Sequence, residues 1–495
     1  MGRHSSKTYL LACGLLVAAV TVGSVPAGAT GRTDAATASS TFRVTWTACP
    51  TPTAARCGTL QVPVDWSKPR GAQTTVALAR RPAGDPAHRV GTLFFNAGGP
   101  GDGAAYYVVD AEQVFSATLL ARFDIVGLDP RATGYNSPIR CDGMQSLTPT
   151  TTLFPRSARE FEALRRHNRE LGLGCLRETG ALAAHIDTVS VARDHEALRI
   201  ALGVDQVSWL GLSYGTQVAA NYAELYPRRA RAMVLDSALE HSLPEVVQVA
   251  DEVISVEDSF NRFARWCDTA PTCALRGQDV GAVFDRLVAD ADKHPIPVAG
   301  ALRPVTGEDI RMKVPEMLTF KEPSIHGPDL SWAGLSRALA RAVEGDAASF
   351  MLAPAGVDLS ELSFLAIGCM EYVPQIHTYA QMRQRIQMGR QLAPHLQGAS
   401  YTWWVNACIG WPIPVANPPR LLNVTGVPTL IVHSVHDPSD PYKWAHSLAA
   451  QIKGSDILTR TGDGHTSYHS SPCARAAADQ YLIRPQSSPD RVCDE

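Results

Sequence analysis

From Val207 to Leu212 the chain runs apolar, turns at Ser213-Tyr214-Gly215, and continues from Thr216 to Ala223 with a helix-like pattern. A strand that enters a helix through so tight a corner constrains the fold more than any other feature. Strand and helix must cross closely there, which leaves no room for a Cβ at the flanking Gly211 and Gly215. A serine on such a corner adopts a strained backbone and points its hydroxyl out of the sheet. The strand is one of a series. Gly91–Asn96, Phe123–Asp129, Ala232–Asp236, Pro428–His433 and Asp456–Thr459 are short apolar runs that end in turn residues, as buried parallel strands do. Leu60–Val64 and Thr75–Ala79 alternate and read as edge strands. Val191, Leu198 and Leu202 fall at helical spacing just before the Val207 strand. This alternation predicts an α/β fold with a mostly parallel central sheet and helices on both faces.

The pattern is interrupted once. Residues 241–400 are more charged and helical in texture, so they read as a largely helical cap inserted between a first core part, 46–240, and a second, 401–495. Ahead of the core, Arg3 and Lys7 precede an apolar run from Tyr9 to Val22 and a small-x-small Ala27-Gly28-Ala29. Residues 1–29 therefore read as a signal peptide, and 30–45 as a flexible or pro-segment. The mature protein is expected to be secreted. Leu10-Leu11-Ala12-Cys13 faintly resembles a lipoprotein box, which leaves association with the cell envelope open, but Cys13 stands before most of the apolar run. No later stretch is long and apolar enough to span a bilayer.

With a net charge of -3 and no long basic run among the 495 residues, the chain has no electrostatic footprint for nucleic acid. Ten of its 11 cysteines lie beyond the signal, an even number that reads as disulfides in an exported protein. Pairing each with its neighbour gives Cys49–Cys57, Cys141–Cys175, Cys267–Cys273, Cys369–Cys408 and Cys473–Cys493.

A serine hydroxyl needs a base, a group that orients the base, and donors for the oxyanion. The strand ending at Val432 is followed by two aspartates, Asp437 and Asp440; Asp437 is favoured because it leaves the strand first and precedes a proline. After the last strand come His465 and His469, of which His465, beside the flexible Gly464, is the better base. Ser213, Asp437 and His465 then follow one another in the order serine, acid, histidine. The glycine run Asn96–Gly101 can aim a backbone N–H at a developing oxyanion. Gly99 is assigned that role, with Gly98 close behind and the Tyr214 N–H as second donor. His433 and His436 are three apart on a strand end and tend to opposite faces, so no metal site and no cofactor are expected.

These residues resemble the secreted tripeptidyl aminopeptidases of actinobacteria, in the prolyl aminopeptidase branch of the α/β-hydrolases. The resemblance runs from about Trp46 to Cys493. It rests on Cys57–Trp66, Asn96–Gly101, Asp129-Pro130-Arg131-Ala132-Thr133-Gly134, Gly211–Thr216, Cys408–Pro412, His436-Asp437-Pro438 and Gly464-His465 through Cys493. It implies an α/β-hydrolase fold, a Ser-His-Asp triad without metal, and cleavage of short peptides, tripeptides above all, from a free amino terminus. The family's acidic-turn pattern puts the triad acid on Asp437 and leaves Asp440 at a variable position. Ala97, Asp102, Ala132 and Ser237 stand where the family commonly has proline, serine, glycine and glycine, so the surroundings of the pocket depart from the pattern while the triad does not.

An exopeptidase must hold the substrate's α-ammonium with a carboxylate, and Glu371, beside Cys369, is the candidate. The expected partner is a peptide or small-molecule amide or ester substrate. An esterase or amidase acting on a secondary metabolite is the rival within the same chemistry. A silent binding protein is the rival outside it, and that reading predicts a broken triad.

Overall fold

The computed structural model describes residues 42–136, 138–141, 151–301, 303–325, 327–351, 359–401, 404–486 and 491–494. The expected signal peptide and most of the segment after it lie outside these residues. Among the described residues ten strands form one sheet: β1 (Val44–Thr47), β2 (Arg56–Pro63), β3 (Gln73–Arg81), β4 (Gly91–Asn96), β5 (Phe123–Leu128), β6 (Val207–Leu212), β7 (Ala230–Asp236), β8 (Thr429–His436), β9 (Asp456–Asp463) and β10 (Arg491–Cys493). Their spatial order is β1-β2-β3-β5-β4-β6-β7-β8-β9-β10. The first four in that order pair antiparallel, and every pair from β5/β4 onward is parallel.

Period-two alternation divides the apolar residues between two cores. Phe94, Trp209, Met233, Leu235 and Ile431 face one side of the sheet, while Leu93, Phe95, Leu210, Val234, Leu430 and Val432 face the other. Covered on both faces, these strands read as unbroken apolar runs. The helices Thr188–Leu202 and Tyr214–Leu225 cover the first side through Val191, Leu198, Val218 and Tyr222. Short helical turns around Val108 and Leu119 and the helix Pro472–Ile483 cover the second. The runs expected as edge strands, β2 and β3, lie inside the sheet because β1 shields them at one end.

Between Asp236 and Thr429 the chain leaves the sheet and forms a stack of helices that includes Glu245–Thr269, Val280–Lys293, Gly307–Leu318, Trp332–Val343, Leu359–Glu371 and Tyr379–Leu392. Phe260, Phe263, Phe284, Trp332 and Leu339 pack this stack and join the core on the first face of the sheet. A capping box starts Gly307–Leu318: Thr306 accepts from the Asp309 N–H while Asp309 accepts from the Thr306 N–H. All five neighbouring cysteine pairs form disulfides, which fits an extracellular protein. Among the described residues no helix is long and apolar enough to cross a membrane.

Candidate active site

Ser213 sits at the corner between β6 and the helix Tyr214–Leu225 with φ 53° and ψ −127°, a conformation that costs a non-glycine residue about 1–3 kcal/mol. Bonds on both sides hold it there. Its N–H donates to Asp236 O at 2.8 Å, and its carbonyl accepts from the Thr216 N–H at 2.8 Å and the Thr216 hydroxyl at 2.7 Å. The close crossing is real: a Cβ on Gly211 would lie 2.5 Å from Gly215 O, and one on Gly215 would lie 2.4 Å from Asn96 O.

Strand β4 pairs with β6, so the loop after Asn96 arrives beside the serine. Gly98 has φ 104° and packs so tightly that a Cβ there would meet Leu212 O at 2.6 Å and Ser213 Cβ at 3.0 Å. Gly99, also at positive φ, lines the same cavity as Ser213. The Tyr214 N–H opens the helix Tyr214–Leu225 and has no acceptor within it.

Asp437 leaves the end of β8 and is 1% exposed. Its Oδ1 accepts from the Ser439 N–H at 2.9 Å and the Asp440 N–H at 3.0 Å, and its Oδ2 from the Ser237 hydroxyl at 2.7 Å. His465 Nδ1 lies 3.0 Å from both oxygens. The rival acid, Asp440, keeps Oδ2 at 3.7 Å from the same nitrogen. Burial works to raise the Asp437 carboxyl, but the adjoining imidazole outweighs it and holds the group below the ordinary carboxylate range. Burial likewise pushes the His465 ring down, and Asp437, with help from Asp440 and Asp236, lifts it above its ordinary value. Asp440 goes the other way: buried beside a second carboxylate, its carboxyl is raised, with the Ser213 hydroxyl against it opposing the rise.

Ser213, His465, Gly99 and Ser439 line one cavity of about 410 Å³. Its roof comes from the helical insertion, with Lys313 and Glu316 on Gly307–Leu318, Phe364 on Leu359–Glu371, and Tyr401. The insertion also holds His465. The His465 N–H donates to Thr319 O at 2.8 Å, and the Thr319 hydroxyl meets the Tyr401 hydroxyl at 2.6 Å. His469 also lines the cavity, from the short helix Ser467–Ser470. His433 and His436 serve different partners. His433 Nδ1 accepts from the Ala238 N–H at 3.0 Å and its Nε2 donates to Asp440 O at 2.7 Å, while His436 meets Asp258 at 3.0 Å.

Glu371 is not in the cavity. It is 0% exposed, and its oxygens are taken by the Thr188 N–H at 2.8 Å, the Thr188 hydroxyl at 2.9 Å, Gln217 at 2.7 Å and Asn417 at 2.6 Å. The expectation that it receives a substrate ammonium is therefore corrected: it is a buried acceptor that ties the helix Tyr214–Leu225 to three other segments. Other residues support the site without having been assigned to it from the sequence. The Ser237 hydroxyl, at φ 59°, joins Asp437 to the Thr466 N–H at 2.9 Å, and Asp236 accepts from the Ser467 and Tyr468 N–H groups at 2.9 and 2.6 Å. Arg131 is fully buried and grips Asp194 at 2.6 and 2.8 Å and the Pro63 and Val64 carbonyls at 3.0 and 2.8 Å. Trp66 also donates to Asp194, at 3.0 Å, so the segments around Trp66 and Arg131 are one structural unit.

Known proteins agree with this architecture. Residues 91–472 match the family model described as alpha/beta hydrolase fold. Serine protease Hip1 of Mycobacterium tuberculosis is 30% identical over 89% of this chain and 88% of its own. A tripeptidyl aminopeptidase of Streptomyces lividans is 28% identical over 86% and 81%. A carboxylesterase B of Mycobacterium tuberculosis is 30% identical over 87% and 84%. On the fold, the strained serine corner and these relatives, the chain belongs to the tripeptidyl aminopeptidase-like family of α/β-hydrolases and is a serine hydrolase.

Proposed function

We propose that this protein removes short peptides from free amino termini through an acyl-enzyme on Ser213. The observation that carries the reading is the convergence, around one cavity, of a strained serine, a histidine doubly contacted by an ionised carboxylate, and a glycine loop. In this mechanism His465 takes the Ser213 proton as the hydroxyl attacks the scissile carbonyl, and Asp437 orients the ring and stabilises the imidazolium. The Gly99 and Tyr214 N–H groups receive the oxyanion. His465 then protonates the departing amine, and water repeats the sequence to free the acyl product.

The tripeptide register follows the name of the Streptomyces relative. In this reading 241–400 is the cap that limits how many substrate residues fit, since it supplies the roof of the cavity. Export with loss of 1–29 agrees with the five disulfides. The relative named carboxylesterase B favours a second reading, hydrolysis of small esters by the same residues. Product analysis on a panel of short peptides and aryl esters separates the two. Release of peptides from free amino termini supports the peptidase, and turnover of esters alone replaces it with an esterase.

A further inference from the structure

Three consecutive residues at the carboxyl end of β7 join the loop that carries Asp437 to the loop that carries His465. The Asp236 carboxylate accepts from the Ser467 N–H at 2.9 Å and the Tyr468 N–H at 2.6 Å. The Ala238 N–H donates to His433 Nδ1 at 3.0 Å, and His433 Nε2 donates to Asp440 O at 2.7 Å. Ser237, between them, meets both loops through a single atom. Its N–H continues the β7–β8 pairing by donating to Val432 O at 2.9 Å. Its hydroxyl accepts from the Thr466 N–H at 2.9 Å and stands 2.7 Å from Asp437 Oδ2. A hydroxyl has one proton to give, and an ionised carboxylate can only accept, so that proton lies toward Asp437.

The bonds close a ring. It runs from the Thr466 N–H through the Ser237 hydroxyl to Asp437 Oδ2, from there to His465 Nδ1 at 3.0 Å, and along the chain back to Thr466. Bonds in such a series polarise one another where water is excluded, and Ser237 is 0% exposed. The backbone marks the same spot. Ser237 and Thr466, at the two ends of one hydrogen bond, have φ 59° and 57°, a region that glycine enters freely and a side chain does not.

We infer that Ser237 is a positioning residue for the proposed hydrolysis: its hydroxyl fixes the Asp437 carboxylate against His465 while the ring gains and returns its proton. The inference rests on the Ser213 mechanism above. Ser237 is not among the residues that line the cavity around Ser213, so it acts on the reaction only through Asp437 and His465. Without the hydroxyl, Asp437 Oδ2 loses its neutral donor and the Thr466 N–H, next to His465, loses its acceptor. A reacting group displaced by about 1 Å costs about 10²-fold in rate.

The test measures kcat, KM and both the rate and the final extent of fluorophosphonate labelling of Ser213 in the wild type, Ser237→Gly and Ser237→Ala. Both variants lack the hydroxyl. Glycine also relieves the backbone, so Ser237→Gly carries the test where alanine fails to fold. The inference expects kcat to fall by about 10- to 100-fold in each folded variant while KM stays within about twofold. Labelling should slow by a similar factor and still reach one adduct per chain. An unchanged kcat in a folded variant overturns the inference. So does a loss seen only as raised KM or as fewer labelled chains at an unchanged rate, the mark of a merely structural role. Wild-type labelling separates the two readings: a labelled wild type with unaffected variants removes the role of Ser237 alone, and an unlabelled wild type removes the hydrolase mechanism with it.

Discussion

The carboxyl end of the sheet and the helical insertion meet at one cavity, yet they are built by different rules. At the sheet end, backbone geometry is nearly forced. Gly211, Gly215 and Gly98 have no space for a Cβ, and main-chain groups of β7 and of the helix Tyr214–Leu225 bond Ser213 on either side, joined by the Thr216 hydroxyl. The insertion is held by side chains: an aromatic cluster around Phe260 and Trp332, and hydroxyl contacts such as Tyr401 to Thr319. The difference teaches where chemistry and selectivity are separable. Substitutions at the sheet end should lower turnover of every substrate, and those in the roof should change the ratio between substrates.

The largest effect belongs to Ser213. Ser213→Ala should lower kcat by about 10⁴-fold or more on arylamides and esters alike, measured by steady-state kinetics. Loss on one substrate class alone would break the comparison. Next comes the frame that holds the loops. Arg131→Met leaves Asp194 buried without its cation and should cost about 3–5 kcal/mol in denaturant unfolding; a loss under about 1 kcal/mol would show that this pair does not anchor the site. Gly98→Ala, forced against Leu212 O and Ser213 Cβ, should lower kcat by about 10²-fold or more while the fold survives, as judged by circular dichroism.

A smaller effect concerns pH. Only neutral imidazole can act as base, and the carboxylates of Asp437, Asp440 and Asp236 favour the charged His465 ring over the opposing pull of burial. The acid limb of kcat/KM should therefore lie above the ordinary histidine value of 6.5. Replacing Asp440 by asparagine removes negative charge beside the ring, so the limb should move to lower pH, by up to about one unit. A limb that stays or moves upward would exclude Asp440 from the electrostatics of the base. The smallest effect lies in the roof: Phe364→Ala should alter the ratio of amide to ester turnover by a few-fold, about 1 kcal/mol of lost contact, with little change in labelling of Ser213.

The same division governs what could be read from the sequence. The serine corner was legible because its glycines answer a steric demand within five residues, and the glycine loop because β4 lies beside β6. The disulfide pairs were legible because each closes a segment of modest length. Strands β1 and β10 were missed. Four and three residues long, they depend on pairing with β2 and β9, not on a pattern of their own. Glu371 was misread because a glutamate is normally exposed, whereas its partners Thr188, Gln217 and Asn417 come from three distant segments and leave no trace near it. Asp440 read as a spare acid, and only its distance to His465 gives it a place.

The most direct test of the account is mass-spectrometric mapping of a fluorophosphonate adduct on the folded protein, in the wild type and in His465→Ala. The account predicts stoichiometric phosphonylation of Ser213 that slows by orders of magnitude without the histidine. Modification of another residue, or equal rates in the two proteins, would contradict it.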